Sequence, residues 1–372
     1  MMLIPGPVEV PASVLRASAY VVNHRSDEFR NIVRKCEVML NRFADASFSV
    51  ITTGSGTTAV ESMISSLTKR NETVVAFTFG EFGNRLIKSL HRRGLKVHEI
   101  SRGPDGIISA EDAESVATKY KDAEAVFLVH NETGNGTSIR NLKEIAHIIK
   151  GQGLRVFVDS VSGFGAMPMM LNEWGIDAMA TCSQKGIASV PGLGIVSLGE
   201  EVGATLKPSE DIPQYLDLGI SLDFFRKGET PFTPSTGSFS ALLKALEILN
   251  LEGIENRWKR HRANAELLRA GLFNSGSAVI GNPSNFSDSV IAFRPLLPVN
   301  DTITALAKSG FVVSKGMGDL SDKIVRVGNL GIVSGSDIIK FLDAYYDVSG
   351  IGGLKKRPQL DPVSEISQDL LQ

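Results

Sequence analysis

From Phe48 to Leu198, short apolar runs alternate with stretches of helical periodicity, and this alternation restricts the fold more than any other feature of the chain. Phe48–Thr52, Thr73–Phe77, Lys96–Ile100, Ala123–Val129, Leu154–Asp159 and Gly194–Leu198 read as strands. Between them, Thr57–Leu67, Asn84–Arg93, Ala110–Tyr120 and Asn141–Gln152 read as helices, with Ser109 placed to cap the third. Strands joined through helices of this length need crossover connections. An α/β architecture with a mostly parallel sheet follows. No internal repeat is visible.

The flanks differ. Residues 1–15, with Pro5, Pro7 and Pro11, read as an extended arm. Ser26–Phe43 reads as a helix capped by Ser26, with Asp27 and Glu28 at its positive end. After the Pro/Thr loop Gly228–Thr236 comes one long helical pattern, from Ser238 to about Phe273. Strand patterns then fall at Ser289–Phe293, Phe311–Val313 and Ile324–Gly328, and helical ones at Asp301–Ser309 and Ser334–Tyr346. The expected division is an arm (1–15), a large domain (16–245), a small C-terminal α+β domain (246–348) and a polar tail (349–372). The tail contains Lys355-Lys356-Arg357-Pro358 and is expected to be loosely held.

Composition narrows the function classes. A chain of 372 residues can bury two cores. A formal charge of −2 gives no reason to expect nucleic acid or anionic membrane as a partner. Two cysteines, Cys36 and Cys182, cannot make a disulfide framework and show no metal-type spacing, so no metal site and a reducing compartment are expected. Met1–Pro7 lacks the pattern of a signal peptide, and no apolar run is long enough to span a bilayer. A cytoplasmic location is the default expectation.

The chemistry-bearing residues fall at the ends of the apolar runs. Leu154–Ser160 reads as a buried strand ending on Asp159, and a carboxylate there sits where open α/β sheets bind ligands. Lys185 follows the next apolar stretch, Ile176–Thr181. This pair suits pyridoxal phosphate, with the amine forming a Schiff base and the acid holding the pyridinium nitrogen protonated. Thr53-Gly54-Ser55-Gly56-Thr57-Thr58 offers backbone N–H groups and hydroxyls at a helix start, either as a phosphate seat or as a plain strand-to-helix turn. Phe82, in a glycine-flanked loop, can stack on a planar ring or fill a core. The polar cluster Val129–Gly136 is equally consistent with a turn. Arg326, inside a valine-rich strand, needs an anion: a substrate carboxylate or an inter-domain acid. His24-Arg25-Ser26 could contact substrate, although Ser26 reads as a cap. Cys182, Trp174 and Trp258 read as packing.

In this order the motifs are specific. Ile4-Pro5-Gly6-Pro7, His24-Arg25-Ser26, Gly54-Ser55-Gly56-Thr57, Phe79–Arg85 and Val129–Thr133 are followed by Val158–Ser162, Ser183-Gln184-Lys185, Pro191-Gly192-Leu193, Thr230–Ser235 and Arg326-Val327-Gly328. Up to about Tyr346 the chain resembles the class V (subgroup IV) aminotransferases of fold type I. It is most similar to the alanine/serine–glyoxylate (or pyruvate) enzymes, with 2-aminoethylphosphonate–pyruvate aminotransferase as a close relative. The resemblance implies the pyridoxal 5'-phosphate-dependent transferase fold, and a ping-pong transamination from alanine or serine to glyoxylate or pyruvate. It implies that Lys185 carries the internal aldimine and shuttles the proton, while Asp159 pairs with the pyridine nitrogen. Phe82 takes a stacking position where many relatives have tryptophan or tyrosine, and Val161 packs the other ring face. Ser55, Gly56, Thr57 and Gln184 would hold the phosphate, joined by Thr233 from a second subunit of a homodimer. Thr133 would bond near the phenolic oxygen, and Arg326 would clamp the substrate carboxylate beside the Gly6 backbone. Gly134-Asn135-Gly136 stands where relatives more often carry serine or threonine.

Three alternatives follow from the same residues, the first within the same class. A phosphonate substrate should want a second cation, for which Arg25 is the candidate. A second class is a pyridoxal phosphate lyase or desulfurase; a desulfurase needs a mobile cysteine, and neither Cys36 nor Cys182 is placed for that. A cofactor-free binding protein would not need both Lys185 and Asp159.

Overall fold

The computed structural model describes residues 1–351, 360–367 and 370. Thirteen strands are present among them: β1 (Phe48–Thr53), β2 (Thr73–Thr78), β3 (Lys96–Ser101), β4 (Ala123–Val129), β5 (Asn131–Glu132), β6 (Thr137–Ser138) and β7 (Arg155–Asp159). They continue as β8 (Ala178–Cys182), β9 (Leu193–Leu198), β10 (Ala278–Val279), β11 (Val290–Arg294), β12 (Ser314–Lys315) and β13 (Val325–Gly328). Seven form one sheet in the order β1-β9-β8-β7-β4-β2-β3. Only β9 runs antiparallel to its neighbours, so β1, β2, β4, β7 and β8 end on the same edge. Registers Val129↔Asp159 and Asp159↔Ala180 put the acid in the middle of that edge. Every residue of β2, β8 and β9 is buried, the pattern of strands covered on both faces.

The smaller sheet, β10-β11-β13-β12, is antiparallel. It packs with helices Ile254–Ser275, Val299–Lys308 and Gly335–Val348 around a second core that includes Leu268, Leu272, Phe293, Val327, Phe341 and Tyr345. The first core lies around the large sheet, from Val14 through Phe77, Phe127 and Phe157 to Leu249.

Several elements depart from the sequence reading. The arm is shorter than 1–15, because Ala12–Ser18 is helical and buries Val14. Pro11 sits just before its first turn, where the missing N–H is no loss. Ahead of that helix the chain joins the small sheet: the Leu3 N–H donates to Val312 O at 2.8 Å, and the Gly328 N–H to Leu3 O at 2.7 Å. Val312 therefore bridges Met2, and the ladder expected at Phe311–Val313 falls at β12 instead. The long helical pattern is two helices, Thr236–Glu252 and Ile254–Ser275, broken at Gly253 with φ +83°. Apolar spacing continues on both sides of that glycine, so periodicity does not register the break. Ala110–Tyr120 likewise splits at Ser115, whose hydroxyl bonds back to Asp112 O at 3.0 Å.

The polar tail is held where it is described. Ser364 and Ile366 are buried, and Glu365 Oε1 accepts from Ser336 N and Oγ at 2.8 Å. The Lys355-Lys356-Arg357-Pro358 run lies outside the described residues.

Candidate active site

The edge where β1, β2, β4, β7 and β8 end collects most of the predicted site. Asp159 closes β7 and is buried. Its Oδ1 accepts the Val161 N–H at 2.9 Å, whereas Oδ2 accepts from none of the described residues. Burial pushes its carboxyl up to about 6, against the opposing pull of the Val161 N–H and of Lys185. Lys185 follows β8 on a turn braced by Ser183 Oγ, which donates to Val190 O at 2.7 Å. The Lys185 amine donates to the Pro5 carbonyl, and burial lowers its pKa from the ordinary lysine value. Gly6 makes this approach possible. It sits at φ +119°, and a Cβ there would lie 2.6 Å from Lys185 Cδ and 2.8 Å from Nζ.

On the same edge, beyond β8 and β9, β1 turns through Gly54 into helix Gly56–Leu67. The Gly54 N–H donates to Gly192 O at 2.8 Å, and the Ser55 N–H to Thr58 Oγ1 at 3.1 Å. Thr58 thus serves the turn, leaving Ser55 half-buried and Thr57 exposed at the helix start. A Cβ on Gly56 would meet Val161 Cγ1 at 2.7 Å, so only glycine lets the first turn close on Val161. Gln184 is half-buried and accepts from Ser183 Oγ at 3.3 Å. Both cysteines are free and buried. Burial pushes the Cys182 thiol up to about 12 and raises that of Cys36 too, so neither is poised as a thiolate.

The third wall combines Phe82, Thr133 and Arg326 through a residue that sequence reasoning missed. Glu132, wholly buried on β5, accepts the N–H groups of Phe82 at 3.0 Å, Gly83 at 3.1 Å and Gly134 at 2.8 Å. It holds the first turn of helix Glu81–Arg93. Phe82, expected in a glycine-flanked loop before a helix at Asn84, is itself helical because Gly80 caps the helix earlier. The only sequence signal of Glu132 was membership of the polar cluster Val129–Gly136, which does not separate a buried loop acid from an exposed one. Asn135 Nδ2 closes the same loop on Phe79 O at 2.6 Å. The outer face of this wall carries Arg85, whose guanidinium lies 4.8 Å from the Phe82 ring centroid. Thr133 Oγ1 donates to Ser162 Oγ at 2.6 Å, and its carbonyl accepts Arg326 Nη1 at 2.9 Å. Arg326 Nε donates to Lys315 O at 2.8 Å. Burial brings the Arg326 pKa down to about 10, with Glu132 acting in the other direction. The guanidinium is therefore held rigidly, with Nη2 uncommitted among the described residues.

Two predicted residues stand apart from this cluster. Arg25 Nη1 donates to Glu229 Oε2 at 2.7 Å and to Thr230 O at 3.3 Å. Thr233 lines a different crevice with Thr52, Thr53 and Tyr215. Neither contacts the Lys185 cluster in this chain.

The residues present fit pyridoxal phosphate. Gly6 and Gly56 each stand where a Cβ would close the space, a buried acid keeps one oxygen without a partner among the described residues, and a helix start flanked by the Ser55 and Thr57 hydroxyls suits a phosphate. Among the described residues, no cluster is grouped to hold a metal, and no helix is long and apolar enough to cross a membrane.

Comparison with known proteins agrees. Residues 12–322 match the family model of class V aminotransferases. The chain is 32% identical over 353 residues to an uncharacterised aminotransferase of Methanocaldococcus jannaschii, covering 92% of this chain and 90% of that one. It is 28% identical to serine–glyoxylate aminotransferase of Hyphomicrobium methylovorum (89% and 85% covered). It is also 28% identical to 2-aminoethylphosphonate–pyruvate transaminase of Klebsiella pneumoniae (92% and 96% covered). The solved subgroup IV aspartate aminotransferase of Thermus thermophilus superposes with a TM-score of 0.87 at 27% identity, covering 94% of this chain and 99% of that one. The fold is thus that of the type I pyridoxal phosphate-dependent transferases, and the chain belongs to the class V aminotransferases. It is a pyridoxal phosphate-dependent aminotransferase.

Proposed function

We propose that this aminotransferase moves the amino group of a small donor, alanine or serine, to glyoxylate or pyruvate in two half-reactions. The observation that carries the reading is Arg326: a buried guanidinium held by two backbone carbonyls, with Nη2 uncommitted among the described residues. It suits the α-carboxylate of a substrate that brings no second anion. Gly6 and Pro5, lying on Lys185, narrow the space for a side chain.

When bound, the cofactor supplies an electron sink for negative charge developing at the substrate Cα. Asp159 Oδ2 would accept its ring N–H. Ser55, Gly56, Thr57 and Gln184 would hold its phosphate, and Phe82 and Val161 its ring. Thr133, whose hydroxyl bonds Ser162 Oγ, would hold its phenolic oxygen. Lys185 would be the point of attachment. Its lowered pKa would favour a neutral Nζ able to take the substrate Cα proton and to act afterwards as the acid. Thr233 is assigned to the phosphate of a partner subunit, because in its own chain it lies away from Lys185. A holoprotein that sediments as a monomer contradicts that assignment.

A second reading is 2-aminoethylphosphonate as donor. Its dianion needs another cation, and here Arg85 competes with Arg25. Arg85 lies on Phe82 and is only loosely paired with Glu81, at 3.9 Å, whereas Arg25 is closely paired with Glu229. The test is single-turnover loss of the visible cofactor band with alanine, serine, aspartate and 2-aminoethylphosphonate offered separately. Alanine or serine should react fastest. Faster reaction with aspartate or the phosphonate contradicts the leading reading.

A further inference from the structure

Across the helix break at Gly253, three charged side chains meet out of water. Glu252 ends one helix, and Arg257 and Arg260 lie in the first turns of the next. Arg257 Nε donates to Glu252 Oε2 at 2.6 Å, and Arg260 Nε to Oε1 at 2.7 Å. The arginines are 0% and 1% exposed. Burial alone would push the Glu252 pKa up, yet the two guanidinium groups bring it down to about 2, so the carboxylate stays charged at any working pH.

The remaining N–H groups of the arginines reach both halves of the site. Arg257 Nη1 donates to Gly186 O at 3.0 Å, one residue beyond Lys185. Arg260 Nη1 donates to Val333 O at 2.6 Å and its Nη2 to Gly331 O at 2.9 Å, on the segment that continues from the Arg326 strand. Asn264 Nδ2 adds a bond to Val333 O at 2.9 Å. The two helices joined by this ion cluster serve different cores: Leu242, Leu246 and Leu249 pack in the first, Leu268 and Leu272 in the second. Buried charge is a poor way to gain stability, because desolvation offsets most of the attraction. A cluster that ends on these carbonyls has a clearer use in setting geometry.

We propose that Glu252, Arg257 and Arg260 form an inter-domain clasp that positions Lys185 and Arg326 relative to each other. Arg257 acts on the lysine turn and Arg260 on the segment that carries the substrate arginine. They are positioning residues that touch neither substrate nor cofactor. The proposal rests on the roles assigned above to Lys185 and Arg326.

The test uses holoprotein of Arg257→Gln, Arg260→Gln, Glu252→Gln and the conservative Arg257→Lys and Arg260→Lys, with Lys185→Ala as control. Kinetics with the best donor are read beside the cofactor release rate and the melting temperature. Losing a charge-assisted bond to the lysine turn should lower kcat and speed cofactor release about ten-fold in Arg257→Gln, with donor KM nearly unchanged. Arg260→Gln should instead raise donor KM about ten-fold with kcat kept. Glu252→Gln should do both, and the lysine variants should fall between glutamine and wild type. If a glutamine variant does not fold, the lysine variant carries the same kcat-against-KM split. Wild-type kinetics in both arginine variants, or equal losses of both parameters tracking melting temperature, overturn the clasp. A visible band retained in Lys185→Ala overturns the lysine assignment, and the clasp with it. A band lost in Lys185→Ala beside wild-type arginine variants overturns the clasp alone.

Discussion

Asp159 carries two consequences of one placement. At the end of β7 it is out of water, so its carboxyl holds a proton up to about 6 instead of the ordinary 3.8. The folded chain then binds that proton more tightly than the unfolded chain does. The stability this contributes is fully present below about pH 4 and is lost as pH rises through about 6. In cofactor-free protein, the stability difference between wild type and Asp159→Asn should therefore fall by up to about 3 kcal/mol from pH 4 to pH 7. Urea unfolding at a series of pH values reads it directly, and parallel curves for the two proteins contradict it. The acid was legible in the sequence because a carboxylate at the end of an apolar run is unusual. Glu132, more deeply buried and bonded to three N–H groups, was not, since in sequence it follows the apolar run within a segment of ordinary turn composition.

At the scale of elements, the sequence was most readable where one period dominates. The large sheet and its crossover helices follow from alternation alone. Breaks and docking were harder to read. Gly253 interrupts a helical pattern without disturbing its apolar spacing, and Arg257 and Arg260 look like a solvated helix face until Glu252 is brought against them. The arm was read as extended. Its pairing with Val312 and Gly328 depends on strands hundreds of residues away, which no local pattern encodes. Its tightest point is Gly6, where positive φ and contact with Lys185 coincide. Gly6→Ala should weaken pyridoxal phosphate binding by about ten-fold or more, because a clash under 3 Å must displace either the arm or the lysine. Absorbance titration with the cofactor measures this, and wild-type affinity would show that the arm has room to move.

For the whole molecule, two cores and one arm converge on a single sheet edge. The large sheet supplies Asp159 and Lys185, the small sheet supplies Arg326, and the arm lies over the lysine. Class V motifs were legible because they fall at strand ends in a fixed order. The donor was not legible, because it depends on how the arm, Arg85 and any partner loop shape one small space. Everything here turns on where the cofactor is attached. Borohydride reduction of the holoprotein, followed by peptide mass spectrometry, locates that lysine. The account predicts cofactor mass on the peptide containing Lys185 and no visible band in Lys185→Ala. Label on another lysine, or a band that survives the substitution, would contradict it.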